Sequence, residues 1–406
     1  MIGFLNTANK DECFGCEACA QSCPVSAIEM KKDEEGFNYP IIDEEKCIHC
    51  DKCHRVCPYE NEPSRSPDKK IVFGGQNINK TILKESTSGG AFSAIVDSWC
   101  DENYVVFGAV AEGLRVYHTY VENKDEIGKF RKSKYLQSEM GDSYKEVKEF
   151  IKKGKKVLFS GTPCQIAGLK TYLGDDIPAT LLTVEVVCEG VPTPLYIYKY
   201  ERYIKEKYNS EIEKLDYRYK DLKISKRRIT GKWDFEVMHT CLSNGKEIKK
   251  DRWFNPFWSI WLKHLMSRPS CYKCPFATEE RVADITLGDL WGVHLYCPEL
   301  YEKNTGASLI VCNTEKGRMI LKSAKKYLSG HELEFDEALK YQSPMRKHIS
   351  GNRNREEFMK DIVSLDYIAL CKKWADKPNL KLLWQKYIWG NRQKIWVWNL
   401  KNRRQK

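Results

Sequence analysis

Cys13, Cys16, Cys19 and Cys23 precede Pro24, and Cys47, Cys50, Cys53 and Cys57 precede Pro58, so both runs read C-x2-C-x2-C-x3-C-P and repeat with a period of 34 residues. This is the ligand pattern of bacterial two-cluster ferredoxins. Three cysteines two residues apart can wrap one face of a cubane, and the fourth, beyond a short helical turn, reaches across to the other cluster. The pattern predicts one 4Fe-4S cluster on Cys13, Cys16, Cys19 and Cys57 and a second on Cys47, Cys50, Cys53 and Cys23. Zinc sites also use CxxC, but the duplicated triple with its trailing Cys-Pro argues for iron and sulfide.

Four more cysteines fall where segments would turn at strand ends. Cys164 lies in FSGTPCQIAGLK at the start of a predicted helix, whose N-terminus favours a thiolate. Cys188 closes the run LLTVEVV, and Cys271 and Cys274 form a CxxC in RPSCYKCPF. Spacing alone leaves two readings open: a third four-cysteine site, or a buried thiol at Cys188 beside a dithiol or half a zinc site. Cys100, Cys241, Cys297, Cys312 and Cys371 have no comparable setting and read as structural thiols. An odd count of 17 cysteines, in a chain whose start shows no basic-then-apolar leader, favours metal ligation over a disulfide framework and predicts a cytoplasmic protein. The run Ser86 to Gly90 precedes a predicted helix, Ala91 to Cys100, and offers backbone N–H groups to a pyrophosphate. It serves equally well as an N-cap with glycines for close packing.

Several other chemistries are absent. No two glycines are separated by a single residue, so GxGxxG cannot occur, and no Gly-Lys pair is followed by Ser or Thr, which removes the Walker A loop. HExxH and GxSxG are missing as well. The net charge is +11, but Lys377 to Lys406 holds nine basic and no acidic residues, leaving +2 for the rest. A nucleic-acid binder is therefore not indicated.

Positioning these groups falls to an α+β, mixed α/β architecture. A small ferredoxin-like module, residues 1–62, is followed by a polar, proline-bearing linker, 63–70. Next comes a larger mixed-sheet domain over 71–345, with predicted strands at Ile71 to Gly75, Tyr104 to Val110, Lys156 to Ser160, Leu181 to Val187, Ala283 to Leu287 and Ser308 to Cys312. Helices are predicted at Ala91 to Cys100, Tyr144 to Lys152 and Gln165 to Leu173. Residues 346–406 form a helical, basic, Trp-rich segment. There Trp384, Trp389, Trp396 and Trp398 alternate with Lys386, Arg392, Lys394, Lys401, Arg403, Arg404 and Lys406. Such a segment suits either a peripheral contact with the inner face of an anionic membrane or packing on the domain.

STSGGAFSAIV (Ser86 to Val96), KYLQSEMGDSY (Lys134 to Tyr144), KKVLFSGTPCQIAGLK (Lys155 to Lys170), CEGVPTP (Cys188 to Pro194) and CYKCPFATEERVADITLGDLWG (Cys271 to Gly292) resemble the coenzyme F-420 hydrogenase/dehydrogenase beta-subunit family. The resemblance spans about Cys13 to Asn313. It implies FAD next to a third 4Fe-4S cluster on Cys164, Cys188, Cys271 and Cys274. The matching flavin candidates are Ser86, Ser88, Gly89, Gly90, Lys134, Gln137, Ser138, Gly161, Thr162 and Asp289; Asp284 reads equally as a turn cap. A flavin has its own rationale, because clusters pass electrons singly whereas organic substrates usually take two.

The resulting expectation is an iron-sulfur flavoprotein oxidoreductase that exchanges electrons with a redox protein and with an organic substrate, coenzyme F-420 being one candidate. Alternatives are a non-catalytic relay subunit of a hydrogenase or dehydrogenase, and a reductase acting on a glycan or lipid-linked sugar in surface-polysaccharide biosynthesis. Partners would be a donor or acceptor protein and a small-molecule or glycan substrate, with no nucleic acid, and homo-oligomers are compatible.

Overall fold

The structure, a computed structural model, describes residues 3–175, 177–220, 237–302, 305–384 and 400. In chain order its strands are β1 (Ile28–Lys32), β2 (Asn38–Ile42), β3 (Ile71–Asn77), β4 (Tyr104–Glu112), β5 (Arg115–Val121), β6 (Lys156–Gly161) and β7 (Leu181–Val186). These are followed by β8 (Ile212–Tyr219), β9 (Val237–Leu242), β10 (Glu247–Asp251), β11 (Ile285–Asp289), β12 (Ser308–Cys312) and β13 (Leu328–Leu333). β1 and β2 make a hairpin, β8 to β10 a three-stranded sheet, and the other eight strands a single sheet in the order β13-β3-β12-β11-β7-β6-β4-β5. Its centre, β11-β7-β6-β4, is parallel, and the strands flanking that centre pair antiparallel.

The central strands are continuously apolar because both faces are covered. Leu158 and Leu182 turn into one core with helix Ala91–Trp99, while Val157, Phe159 and Leu181 turn into another. Val147 and Phe150 of helix Ser143–Lys152 and Ile166 and Leu169 of helix Pro163–Leu173 fill that second core. Parallel strands end on the same side of a sheet, where α/β folds carry their sites. Cys164 and Cys188 leave β6 and β7 on that side, and Asp289 ends β11 there.

The N-terminal segment shows its repeat in the backbone. Gly15 and His49 have φ of +65° and +50°, and Glu17 and Asp51 have +64° and +56°. Both pairs are 34 residues apart. Left-handed backbone costs a non-glycine residue roughly 1–2 kcal/mol, so three of these positions carry strain where the chain curls round the cysteines. Helices Ala18–Ser22 and Lys52–Arg55 pack together. Phe14, Cys16, Ala18 and Val56 join the core of Val105, Phe107, Tyr144 and Phe159, so the segment is packed onto the large sheet. The following stretch is tied down too: Arg65 donates to the carbonyls of Glu280 and Pro275, and Asp68 pairs with Arg318 at 3.5 Å.

The three-stranded sheet shares a further core with helix Leu195–Tyr208, helix Pro256–Trp261 and the C-terminal helices Arg355–Ser364 and Tyr367–Trp374. Trp384 ends a short helix, Leu380–Trp384, and is 56% exposed. The other residues of the basic Trp pattern, from Lys386 onward, lie outside the described residues. No helix among the described residues is long and apolar enough to cross a membrane.

Candidate metal centres and anion cradle

Cys13, Cys16, Cys19 and Cys57 come together at the face of the N-terminal segment that meets the large sheet. Burial pushes Cys16 and Cys19 well above the usual thiol range, and the neighbouring Cys13 and Cys57 push in the same direction. Cys53 is raised by burial, with Cys47 and Cys50 adding to the shift. Cys50 is exposed. Cys23 follows helix Ala18–Ser22 directly, and its sulfur accepts from the Ala27 N–H at 3.2 Å.

The inner thiols also converge. Cys164, Cys188, Cys271 and Cys274 line one pocket with Phe14, Arg268, Phe276, Arg281 and Ile349. Cys164 is the second residue of helix Pro163–Leu173, whose start is fixed by Pro163 and by a capping box between Thr162 and Gln165. The Thr162 hydroxyl lies 3.2 Å from the Cys164 sulfur. Gly190 turns the chain after Cys188 at φ +94°, a conformation suited to glycine. Cys271 sits in the turn Pro269–Lys273, its N–H bonded to the Arg268 carbonyl at 3.0 Å. Beyond Cys274, Arg281 donates to the carbonyls of Phe276 and Thr278 and pairs with Glu185 of β7; both partners of that ion pair are buried.

Burial, with nearby thiols acting in the same direction, raises Cys188 well above its ordinary range, Cys271 to about 11 and Cys274 to about 12. Buried thiols that repel one another as anions become thiolates only around a cationic centre. A donor set of four sulfurs suits an iron-sulfur cluster or zinc. The residues at both kinds of site therefore fit the expected clusters.

The ten flavin candidates divide into two groups. Ser86, Ser88, Gly89, Gly90, Lys134 and Asp289 lie around a cluster of basic side chains, Lys132, Lys134, Arg218 and Lys220. Lys220 donates to the Leu83 and Ser88 carbonyls at 2.7 and 2.5 Å, Arg218 pairs with Asp289, and Lys132 pairs with Asp216. Lys134 donates to the carbonyls of Lys129, Phe130 and Arg131. Burial pushes Lys134 and Lys220 down to about 7, and among the described residues neither makes a salt bridge. Two buried amines beside a helix N-terminus fit an anionic group.

The hydroxyls of this loop are already engaged, Ser86 with the Ile82 carbonyl and Ser88 with that of Ala307. Gly89 is required by packing: a Cβ there would stand 2.3 Å from the Gly75 carbonyl oxygen. Gln137, Ser138, Gly161 and Thr162 lie apart from the loop, between the first outer site and the inner pocket. Gln137 donates to the Phe14 and Gly15 carbonyls, Ser138 bonds His118 and Gln165, and Gln165 caps Thr162. A Cβ at Gly161 would stand 3.1 Å from the Gln165 side-chain oxygen. Asp284 holds Thr183 and Thr314, a structural bracket. Arg268, Arg281, Glu185, Arg218 and Lys220 are missed from sequence: Arg268, Arg281 and Glu185 stand inside stretches singled out for their cysteines, but each of the five acquires its partners through the fold.

Residues 154–335 match the family described as the C terminus of the beta subunit of coenzyme F420 hydrogenase/dehydrogenase, and residues 12–61 match a 4Fe-4S dicluster domain. No curated protein sequence matches the chain. Among solved structures, a chain of the F420-reducing [NiFe] hydrogenase complex from Methanosarcina barkeri, in its xenon derivative, aligns with a TM-score of 0.44 and 15% identity over 73% of this chain and 92% of that one. Residues 154–335 are thus similar to the C-terminal part of the coenzyme F420 hydrogenase/dehydrogenase beta subunit, and together with the 4Fe-4S dicluster match over residues 12–61 this marks an iron-sulfur electron-transfer protein.

Proposed function

We propose that the chain is an oxidoreductase with three clusters and FAD. In this reading Cys13, Cys16, Cys19 and Cys57 hold one cluster, Cys23, Cys47, Cys50 and Cys53 a second, and Cys164, Cys188, Cys271 and Cys274 a third. When bound, clusters supply one-electron transfer and FAD the conversion to electron pairs, as needed by an organic substrate or a deazaflavin such as coenzyme F420.

The observation that carries the reading is that the inner and outer cysteine sites share neighbouring residues. Helix Pro163–Leu173 presents Cys164 at its start, and a Cβ at Gly168 of the same helix would stand 3.0 Å from the Cys16 Cβ. Phe14, next to Cys13, lines the inner pocket. The protein's own part is to bury the junction of the two sites and exclude water from it, with Phe14, Phe276 and Val56 in one core. Lys134, Lys220 and the N-terminus of helix Ala91–Trp99 are suited to hold the FAD pyrophosphate, with Ser86 and Ser88 shaping the loop. Gln137, Ser138, Gly161 and Thr162 then serve the wall between the outer and inner cysteine sites. His118, bonded to Ser138 and the Ser160 carbonyl, is pushed down to about 4 by burial and stays neutral, so it orients that wall without adding charge.

Denaturing the anaerobically purified chain should release about one FAD. Lys220→Met should release less with iron unchanged. A chain that contains no flavin and reduces its acceptor from an artificial one-electron donor without added flavin would defeat the flavin part of the reading. Failure to turn over any acceptor despite bound FAD would favour a relay subunit instead.

A further inference from the structure

Arg268 stands between the two cysteine sites and is 1% exposed. Its backbone ties the inner site together: its N–H bonds the Val191 carbonyl, three residues after Cys188, at 2.9 Å, and its carbonyl accepts from Cys271 at 3.0 Å. Its side chain reaches the outer site. Nε donates to the Cys13 carbonyl at 2.8 Å, Nη2 to the Asn38 carbonyl at 2.9 Å and to the Cys13 sulfur at 3.5 Å, and Nη1 to the Gln137 side-chain oxygen at 3.2 Å.

The surroundings fit the guanidinium closely. Its central carbon lies 4.3 Å from the Tyr39 ring centre, close enough for a cation–π contact. Gly15, at φ +65°, leaves the space it occupies, since a Cβ there would stand 2.8 Å from Nη1. The same arginine lines the pocket of Cys164, Cys188, Cys271 and Cys274. No carboxylate among the described residues makes a salt bridge with it. Burying a guanidinium without a carboxylate is costly, and what offsets that cost here is three oxygen acceptors, the Tyr39 ring and the thiols of Cys13 and Cys271 on either side.

We propose that Arg268 is a positioning and electrostatic residue shared by the inner site and the Cys13 site, holding both at a higher reduction potential than they would otherwise have. The inference rests on the cluster assignment above. A fixed positive charge and an N–H···S bond stabilise the more negative, reduced state of a cluster. Both centres beside Arg268 gain from it. The site of Cys23, Cys47, Cys50 and Cys53 has none of its ligands among the groups Arg268 bonds, so it gains least. Two potentials are thus moved together relative to a third, which would set how readily electrons collect at the junction.

The test is a reductive titration of the anaerobically purified full chain, followed by electron paramagnetic resonance, comparing wild type with Arg268→Gln and Arg268→Lys. Arg268→Gln should keep its iron and lower two of the three midpoints. The expected change is at least tenfold in the reduced-to-oxidised ratio at fixed ambient potential, which is about 59 mV for one electron. The third midpoint should stay in place. Arg268→Lys keeps the charge but cannot hold the Cys13 carbonyl and sulfur together, so it should lower the Cys13 midpoint by less. If Arg268→Gln loses its clusters, Arg268→Lys decides the matter. Midpoints unmoved in the iron-replete variants, or all three moved alike, overturn the role of Arg268. Fewer than three cluster signals in wild type would overturn the cluster assignment instead.

Discussion

The second outer site and the inner pocket are both built from four cysteines, yet they rest on different physics. Cys47, Cys50 and Cys53 lie within seven residues of one another on a short strained turn, beside a helix of only four residues, Lys52–Arg55. Little apolar surface is buried there, and a module this small needs its metal to hold its shape. The inner cysteines come from three separate segments and are brought together by the end of a parallel sheet, a capped helix and a buried ion pair. On these grounds the outer site should depend on its cluster for its shape, whereas the inner pocket is braced by the protein around it. The first outer site is intermediate, because Phe14, Cys16 and Val56 borrow the core of the large sheet.

The comparison can be broken by mutation. Replacing any one of Cys164, Cys188, Cys271 and Cys274 with Ala should remove about four iron atoms and leave the outer clusters in place; this is the largest expected effect, read by iron analysis. Loss confined to the Cys271 and Cys274 variants would instead indicate a dithiol. Glu185→Gln should come next. It leaves Arg281 charged in a buried setting, which costs about 3–5 kcal/mol, and it loosens the loop that carries Cys274. Urea unfolding should show the loss in stability and iron analysis a deficit at the inner site, and a neutral outcome in both would mean that Arg281 does not brace this pocket.

Exposure should order the response to a chelator. The site with Cys50, the one exposed thiol of the twelve, should lose iron first and the inner pocket last. Mössbauer spectra recorded through the time course would follow this, and simultaneous loss would erase the distinction between the sites.

A smaller effect concerns pH. Lys134 and Lys220 are held near 7 by burial, and a bound anion would raise both, so binding takes up protons. FAD affinity of the flavin-depleted chain should therefore fall above pH 7, by up to about tenfold per amine per pH unit. The sign for stability is opposite. Between about 7 and 10.5 the unfolded chain binds more protons than the folded one, so the flavin-free protein should become more stable as pH rises across that window. A flat affinity from pH 6.5 to 8.5 would remove these amines from the cradle.

The parts that could be read from the sequence share one property, that their signal is local. The eight outer cysteines are grouped within two short runs, and the central strands announce themselves as unbroken apolar stretches such as Val157 to Phe159. Within the large sheet the two strands that the sequence does not announce, β5 and β13, are its edges, and the hairpin β1-β2 and the three-stranded sheet β8 to β10 are not announced either. LSGHEL of β13 has a largely exposed, polar pattern, and an edge strand lacks the two-sided burial that makes its neighbours recognisable. The inner cysteines could be placed only through the residues around them, because no spacing rule connects position 164 with 271. Arg268 and the Glu185–Arg281 pair were out of reach for a related reason: their partners are 96 to 255 residues away in the chain. Of the alternatives for the Ser86 to Gly90 run, glycine for close packing holds at Gly89, which stands against Gly75, whereas the helix is capped by Gly90 and not by a serine.

The central claim is that twelve of the seventeen cysteines form three sites within one packed body. The most direct measurement is iron and acid-labile sulfide per chain after anaerobic purification. The account predicts about 12 iron atoms with matching sulfide. About eight iron atoms, with zinc or nothing at Cys164, Cys188, Cys271 and Cys274, would contradict it.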